Sequence, residues 1–382
     1  MTIPFTEDEL ESLMDRPICR LLTAADRKAF AGRRVLITGA GGSIGSELSR
    51  QIARCTPARL ILVDSSELNL FQVERELQQA APHVPVDVVL GDVSRRVVAN
   101  AIRVSRPDVI YHAAAYKHVT MVERAVCASV EANVLGTAMV AEAAREVGAR
   151  FVLISSDKAA APESVMGATK RLAELVALSR ATAAFRPVVV RFGNVLGSSG
   201  SVLTIMRDAI RRGQPIPVTD PQASRYFMTV GEAASLVIKA GLLSDRAETY
   251  WLDMGRPVTI GELAARMMAI EKAAGHRPVP LQVIGLRPGE KLREELTTQG
   301  LRMCRTSHKR IWVATQPAAS FTVVARAERR LRARTARGDS AGALAWLAAA
   351  VPEFRVSPEA SAMAQAQRVA ADTTSASRMR VA

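Results

Sequence analysis

The sequence is poor in what a disulfide scaffold, a metal centre or a membrane anchor needs. Its four cysteines, Cys19, Cys55, Cys127 and Cys304, stand far apart and form no CxxC pair, which argues against a disulfide framework and a zinc site and predicts reduced thiols. The five histidines are equally scattered, without metal-ligand spacing. No apolar run reaches the roughly 18 residues that cross a bilayer. The first residues, Met1 to Arg16, are acidic and amphipathic and lack the basic start and apolar core of a secretory signal. There is no internal repeat. These absences predict a cytoplasmic protein with no metal and no membrane insertion.

What is present is the composition of a globular protein, 48% hydrophobic and 23% charged. At 382 residues the chain suffices for one large domain or two modest ones with a sizeable core. The net charge of +14 invites a nucleic-acid reading. Many of the arginines, however, fall late in the chain, at Arg326, Arg329, Arg330, Arg332, Arg334 and Arg337. That pattern reads as the solvated face of a helix, so no nucleic-acid partner is expected.

From residue 33 to about 195, short runs rich in Val, Ile and Leu alternate with longer helical patterns. The runs are 34–38, 60–64, 86–90, 109–112, 151–155 and 187–191; helical stretches such as 46–54, 68–80 and 129–147 lie between them. Continuous apolar strands with intervening helices indicate α/β architecture, a doubly wound parallel sheet of Rossmann type covered on both faces. Residues 1–30 read as an N-terminal helical arm and 31–195 as the dinucleotide-binding domain. After Asn194 the rhythm changes: helices at 200–212, 231–244 and 260–274 and short strands near 250–252 and 281–284 suggest a smaller, discontinuous C-terminal lobe, so 196–350 is mainly substrate-binding. Residues 357–382, rich in Ala, Ser, Arg and Thr without apolar period, read as a disordered tail.

The sharpest signal lies at 35–45, where the strand VLIT runs into GAGGSIG and then a helix. Gly39 permits the tight turn, Gly42 lets the backbone approach a pyrophosphate, and Gly45 allows close helix–strand packing. Ser43 and Ile44 open the helix, whose free N–H groups and dipole favour phosphate. A lone glycine motif is equally a generic turn; here Asp64 ends the next strand about twenty residues on, as a dinucleotide fingerprint requires. A carboxylate there accepts the ribose hydroxyls and repels a 2′-phosphate, and Ser65 is not basic, so NAD is favoured over NADP. Asp92 and Val93, after the third strand, suit the adenine edge, although Asp92 reads equally well as a helix cap.

The spacing of Gly39, Gly42 and Gly45 resembles the extended short-chain dehydrogenase/reductase superfamily. Within it, HAAAYKHV at 112–119 is similar to the nucleotide-sugar 4,6-dehydratases that include the CapD-like polysaccharide biosynthesis proteins. Further matching blocks are SSDKA at 155–159, MGATKR at 166–171, RFGNVLGSSGS at 191–201, RYFMT at 225–229 and GLRPGEKL at 285–292, so that the resemblance covers about residues 16–315. It implies that Ala113, Ala114 and Ala115 join the cofactor site and that Asn133 steadies the active-site lysine through water. Many members carry an N-terminal membrane domain; this chain reads as a soluble short form.

Most superfamily members place a Tyr four residues before a Lys on one helix, and the Lys lowers the phenol's pKa. Here the pair is Met166 and Lys170. A thioether accepts no proton at neutral pH, which alone suggests a dead enzyme, but one branch of the dehydratases also carries Met. Lys170 then grips the ribose and the proton chemistry falls to Ser156, Asp157 and Lys158. In a 4,6-dehydration the sugar loses a hydride at C4, a proton at C5 and water at C6, and regains the hydride at C6. The resemblance makes Asp157 the acid at C6 and Lys158 the base at C5, provided burial near the cofactor's positive ring lowers the lysine's pKa. Ser156 relays the C4 hydroxyl proton through a water. Taken alone, Asp157-Lys158 is equally a surface ion pair.

Arg287 and Glu290 resemble the residues that grip the nucleotide diphosphate and ribose. Lys117, Asn194, Ser201 and Arg225 belong to the same substrate set, and the 226–228 run reads as packing. Ser156 stands in place of a common Thr, Ala161 and Ser164 where Asn is frequent, and Val126 where Pro is common, all expected near the sugar. The first expectation is therefore a UDP-N-acetylglucosamine 4,6-dehydratase with retention at C5, acting in glycan or polysaccharide synthesis as a homo-oligomer, a dimer or higher. An epimerase of the same superfamily is the second. A non-catalytic NAD-binding or nucleic-acid-binding scaffold, motivated by Met166 and the basic tail, is the third.

Overall fold

The computed structural model describes residues 5–19, 22–198, 200–243, 246–295, 301–314 and 320–367. All six apolar runs form strands of one sheet: β1 (Arg34–Thr38), β2 (Arg59–Asp64), β3 (Val86–Leu90), β4 (Val109–His112), β5 (Arg150–Ile154) and β6 (Val188–Arg191). Three strands from later in the chain extend it: β7 (Glu248–Leu252), β8 (Cys304–Arg305) and β9 (Ile311–Ala314). The order is β8-β9-β7-β6-β5-β4-β1-β2-β3, parallel from β7 to β3, with β9 antiparallel to β7 and β8 antiparallel to β9. The winding direction reverses between β1 and β4, and at such a point a crevice opens beyond the carboxyl ends of the strands.

Successive residues of a strand face opposite sides, so the sheet builds two cores. Val35, Ile37, Leu60 and Leu62 pack on Leu48, Ile52, Leu236 and Val237 on one side. Leu36, Ile61, Ile110 and Phe151 pack on Val98, Ile102, Val140 and Ala173 on the other. The helix Val230–Leu243 and the strand β7 thus belong to the sheet and its layers, although the change of rhythm after Asn194 suggested a separate lobe. A third core lies at the carboxyl edge, where Leu203, Met206, Leu263 and Met267 of the helices Val202–Arg211 and Ile260–Ala273 meet Leu13 and Met14 of the helix Glu7–Met14. The N-terminal arm is helical, as expected, and Arg16 pairs with the buried Glu232 at 2.6 Å.

A fourth core has no counterpart in the sequence reading. The helices Phe321–Thr335 and Ser340–Ala350 cover the segment 126–136 and the helix Val165–Leu178, burying Val324, Leu331, Leu344, Leu347 and Phe354 against Val130, Val134, Leu172 and Val176. Arg326, Arg329, Arg330, Arg332 and Arg337 are exposed, which is the solvated face that was expected. Residue 357 was expected to begin a disordered tail. Instead 358–367 is helical, and Ala360 and Ala364, one turn apart, are buried in this core. The rest of that expected tail, 368–382, lies outside the described residues.

The stretch Val126–Val147, with a mean hydropathy of 1.2, is long and apolar enough to cross a membrane, contrary to the reading from uninterrupted runs. Its most apolar window is 72% buried inside the fold. Within it, Val130–Gly136 is π-helical, an irregularity that often accompanies functional sites.

Candidate active site

The crevice at the switch point is a cleft of about 630 Å³, within the range of small-molecule sites. Its floor is the glycine turn. Gly39 has φ +64°, and a Cβ there would stand 2.7 Å from the Ala114 backbone nitrogen. A Cβ on Gly45 would overlap the Gly39 carbonyl oxygen. Gly42 is the helix cap with no side chain to fill the approach. Ser43 and Ile44 follow on the cleft wall.

A side pocket of about 200 Å³ shares Gly39, Gly42 and Ala113 with the cleft and adds Asp64, Ser65, Asp92, Val93 and Ala114. Ala115 lines both. Asp64 is held in place: Oδ2 accepts the Gly41 N–H at 2.8 Å and Oδ1 accepts the Ser66 N–H at 2.9 Å. Asp92 Oδ1 accepts the Ser94 N–H and hydroxyl at 2.7 and 2.6 Å, a turn contact; the N-cap of the helix Arg96–Ser105 that follows is Arg95 and not Asp92. A glycine cradle with no room for a Cβ, leading to a fixed carboxylate, fits a dinucleotide.

The proton-carrying groups sit at the carboxyl end of β5. Ser156, Lys158, Met166 and Lys170 line the cleft. Asp157 is buried behind them: its Oδ1 accepts the Ser156 hydroxyl at 2.7 Å and the Lys158 ammonium at 3.1 Å, while Oδ2 is buried with no partner among the described residues. Lys158 Nζ also meets Asn194 Oδ1 at 3.2 Å and Glu294 Oε1 at 3.2 Å. Burial alone would lower its pKa, but Asp157 and Glu294 outweigh it and the net shift is upward. Two carboxylates beside a buried lysine favour its charged form, and the expected lowering by burial near the cofactor's positive ring is therefore not met by burial in the protein alone.

Lys170 takes the opposite course. It is buried, its Nζ donates to the Ile154 carbonyl at 2.5 Å, and burial brings its pKa down to about 8, against an upward pull from Glu174. Glu174 is held by Arg191 at 2.5 Å and by the Ser155 hydroxyl at 2.6 Å. That wholly buried network underpins the active-site helix, whose first turn is capped by Ser164 through the Gly167 N–H. His112, fully buried between Thr38 and Thr137, is driven down to about 3 by burial and by Lys170, and so is neutral.

Among the expected substrate residues, Lys117, Asn194, Ser201, Arg287 and Glu290 line the cleft. Arg225 does not; its guanidinium holds the Leu292 carbonyl at 3.3 Å and approaches Glu294 at 3.7 Å. Asn133 is buried, accepting the Tyr116 N–H at 2.8 Å and donating to the Tyr116 carbonyl and the Thr169 hydroxyl. Val126, expected near the sugar, lies instead in the core beneath the C-terminal helices.

The sequence reading missed Asn69, His118 and Gly193 on the cleft wall, and Glu294 behind it. His118 follows Lys117 directly and stands inside the 112–119 block. A Cβ on Gly193 would come within 3.0 Å of Asp157 Oδ2. Nothing in the local sequence distinguishes Glu294 from its neighbour Glu295.

A family model described as polysaccharide biosynthesis protein matches residues 35–316. The chain is 40% identical over 293 residues to the capsular polysaccharide biosynthesis protein CapD of Staphylococcus aureus, covering 75% of this chain and 49% of that protein. It is 43% identical over 290 residues to the probable polysaccharide biosynthesis protein EpsC of Bacillus subtilis (strain 168), covering 75% and 48%. The chain therefore spans about half the length of these curated relatives. A UDP-glucose 4-epimerase of Rickettsia canadensis (strain McKiel) is 29% identical over 281 residues, covering 70% and 79%. Among solved structures, Pen from Bacillus thuringiensis superposes with a TM-score of 0.70 at 29% identity, covering 76% of this chain and 90% of that one. DesIV, a dTDP-glucose 4,6-dehydratase from Streptomyces venezuelae solved with NAD and TYD bound, shares the fold at a TM-score of 0.60 and 24% identity, covering 69% and 88%.

Proposed function

The chain belongs to the CapD-like polysaccharide biosynthesis family of extended short-chain dehydrogenases/reductases, and from that premise we propose that it is an NAD-dependent nucleotide-sugar 4,6-dehydratase. The substrate in this reading is UDP-N-acetylglucosamine, and the product is its 4-keto-6-deoxy derivative with C5 configuration retained. Residues 31–195 supply the cofactor site and 196–350 mainly the substrate side. The observation that carries the reading is the Asp157–Lys158 pair, 3.1 Å apart, beside Met166 and Lys170 in the cleft floored by the glycine turn.

NAD held over the glycine turn would supply a reversible hydride acceptor for C4 and donor for C6 of the sugar. The residues have to move protons. Lys158 is held as an ammonium, and passing its proton to Asp157 creates a neutral amine and a carboxylic acid side by side. The amine removes the C5 proton, which the C4 ketone has acidified. The acid protonates the C6 hydroxyl, which leaves as water. When the hydride returns to C6, the Lys158 ammonium gives its proton back to C5. The proton that left the C4 hydroxyl through Ser156 and water restores the ammonium, so the pair regains its starting state and the sugar has lost one water. Asp64 favours NAD, since its fixed carboxylate repels a 2′-phosphate. Arg287 suits a diphosphate clamp.

The test is incubation with UDP-N-acetylglucosamine, followed by mass spectrometry and proton NMR. Loss of water and a 6-deoxy methyl doublet are expected, with C5 retained, and Asp157→Asn and Lys158→Met should each abolish them. The likeness to UDP-glucose 4-epimerases supports a second reading. A changed sugar configuration with no methyl signal would select it and sink the first.

A further inference from the structure

Lys158 is gripped from two sides of the cleft. Asp157 precedes it in the chain, on the β5 side. Glu294 reaches it from the segment that carries Arg287 and Glu290, and its side chain is only 4% exposed. That segment is tied down at the same point: the Ser224 N–H donates to the Leu292 carbonyl at 2.9 Å, Arg225 donates to the same oxygen, and Ser224 bridges to Arg293. A carboxylate carried so far out of water needs a cation, and Lys158 at 3.2 Å is nearer to it than Arg225 at 3.7 Å. The charged groups facing Lys158 are therefore Asp157, Glu294 and, behind Glu294, Arg225.

We infer that Glu294 is a positioning residue that holds the Lys158 ammonium between Asp157 and Asn194, and thereby ties the proton affinity of Lys158 to the docking of the 285–295 segment. The consequence for chemistry rests on the dehydratase reading; the hold on Lys158 does not. An amine with high proton affinity is a strong base once it is neutral, and its conjugate ammonium is stabilised as the C5 proton arrives. Asp157 cannot serve alone as that anchor, because it must carry a proton during the same step. A second carboxylate, outside that proton transfer, keeps the lysine in place. The raised pKa of Lys158, with burial opposing and Asp157 and Glu294 prevailing, agrees with this geometry.

The test is a direct titration that needs no turnover. The intact protein is pulsed with acetic anhydride across a pH series, and acetylation of Lys158 is mapped by mass spectrometry, with exposed Lys272 as the internal reference. In Glu294→Gln the midpoint for Lys158 should fall by about one pH unit or more, the usual effect of an adjacent opposite charge. Glu294→Asp should restore it at least in part. The Lys158 limb of the kcat/KM profile should move to lower pH in step, whichever protonation state is active. An unchanged midpoint in Glu294→Gln overturns the inference, as does equal loss of activity at every pH with no shift of the limb. A shifted midpoint in a protein that dehydrates no UDP-sugar supports the role of Glu294 and refutes the proposed function instead.

Discussion

Replacing Gly45 with alanine places a methyl group where the helix Ser43–Ala53 crosses the end of β1. That carbon would overlap the Gly39 carbonyl oxygen and stand 2.7 Å from the Gly39 carbonyl carbon and 2.9 Å from Ala40 Cα, whereas ordinary contact begins near 3.4 Å. These neighbours are backbone, so the helix has to retreat by more than about 1 Å. Overpacking of this kind costs about 1–3 kcal/mol of stability. The same retreat draws the helix's first N–H groups away from a bound pyrophosphate. A hydrogen bond to a charged group is worth about 1.5–3 kcal/mol, so losing even one weakens NAD binding by roughly tenfold to a hundredfold. Gly42→Ala is the built-in comparison, because its Cβ would lie 3.2 Å from the same oxygen and its φ of −74° suits any residue. Urea unfolding should rank Gly45→Ala well below Gly42→Ala, while calorimetric titration should find NAD binding weakened in both, in Gly42→Ala because its methyl group fills the approach to the pyrophosphate. Parental NAD affinity in either variant would refute the assignment of this turn as the pyrophosphate cradle.

Glu123 accepts the Val165 N–H at 2.7 Å, and burial pushes its carboxyl up to about 7 from 4.5. A carboxyl raised on folding contributes stability that is full below pH 4.5 and lost as pH rises through 7, up to about 3 kcal/mol at 1.36 per unit. Glu123→Gln keeps the acceptor and carries no charge, so urea unfolding should lose that slope; an identical slope in both proteins would exclude Glu123 as its source. Deleting 320–382 uncovers Val130, Leu172 and Val176 and breaks the Arg180–Glu328 pair. A lower urea midpoint and concentration-dependent association beyond the parent's state by light scattering are expected, and a truncated chain that keeps the parent's oligomeric state and stability would contradict the role assigned to this layer.

The parallel sheet was legible because strands buried on both faces read as unbroken apolar runs, and all six fall within a residue of their expected bounds. The glycine turn was legible because backbone approach restricts residue type locally. β7 and β9 were not legible as members of the sheet, since their partners lie far along the chain and a short strand does not specify its neighbour. Val126 was placed near the sugar and Arg225 in the substrate set by block position alone, and neither lines the cleft. The helix at 358–367 was missed because alanine and methionine give a weak apolar stripe.

By itself, the sequence determined the class of fold, the glycine turn and the residue types at the carboxyl end of β5. All of these depend on chemistry within a few consecutive residues. Tertiary structure decided the electrostatics of that site. Against burial, the pKa of Lys158 is shifted upward by Asp157, its neighbour in the chain, and by Glu294, which arrives from the far side of the cleft. Lys170, buried among neutral groups with only Glu174 pulling upward, is the lysine whose pKa falls. Proton affinity is set by which charges stand within a few ångströms, and chain separation carries almost no information about that distance.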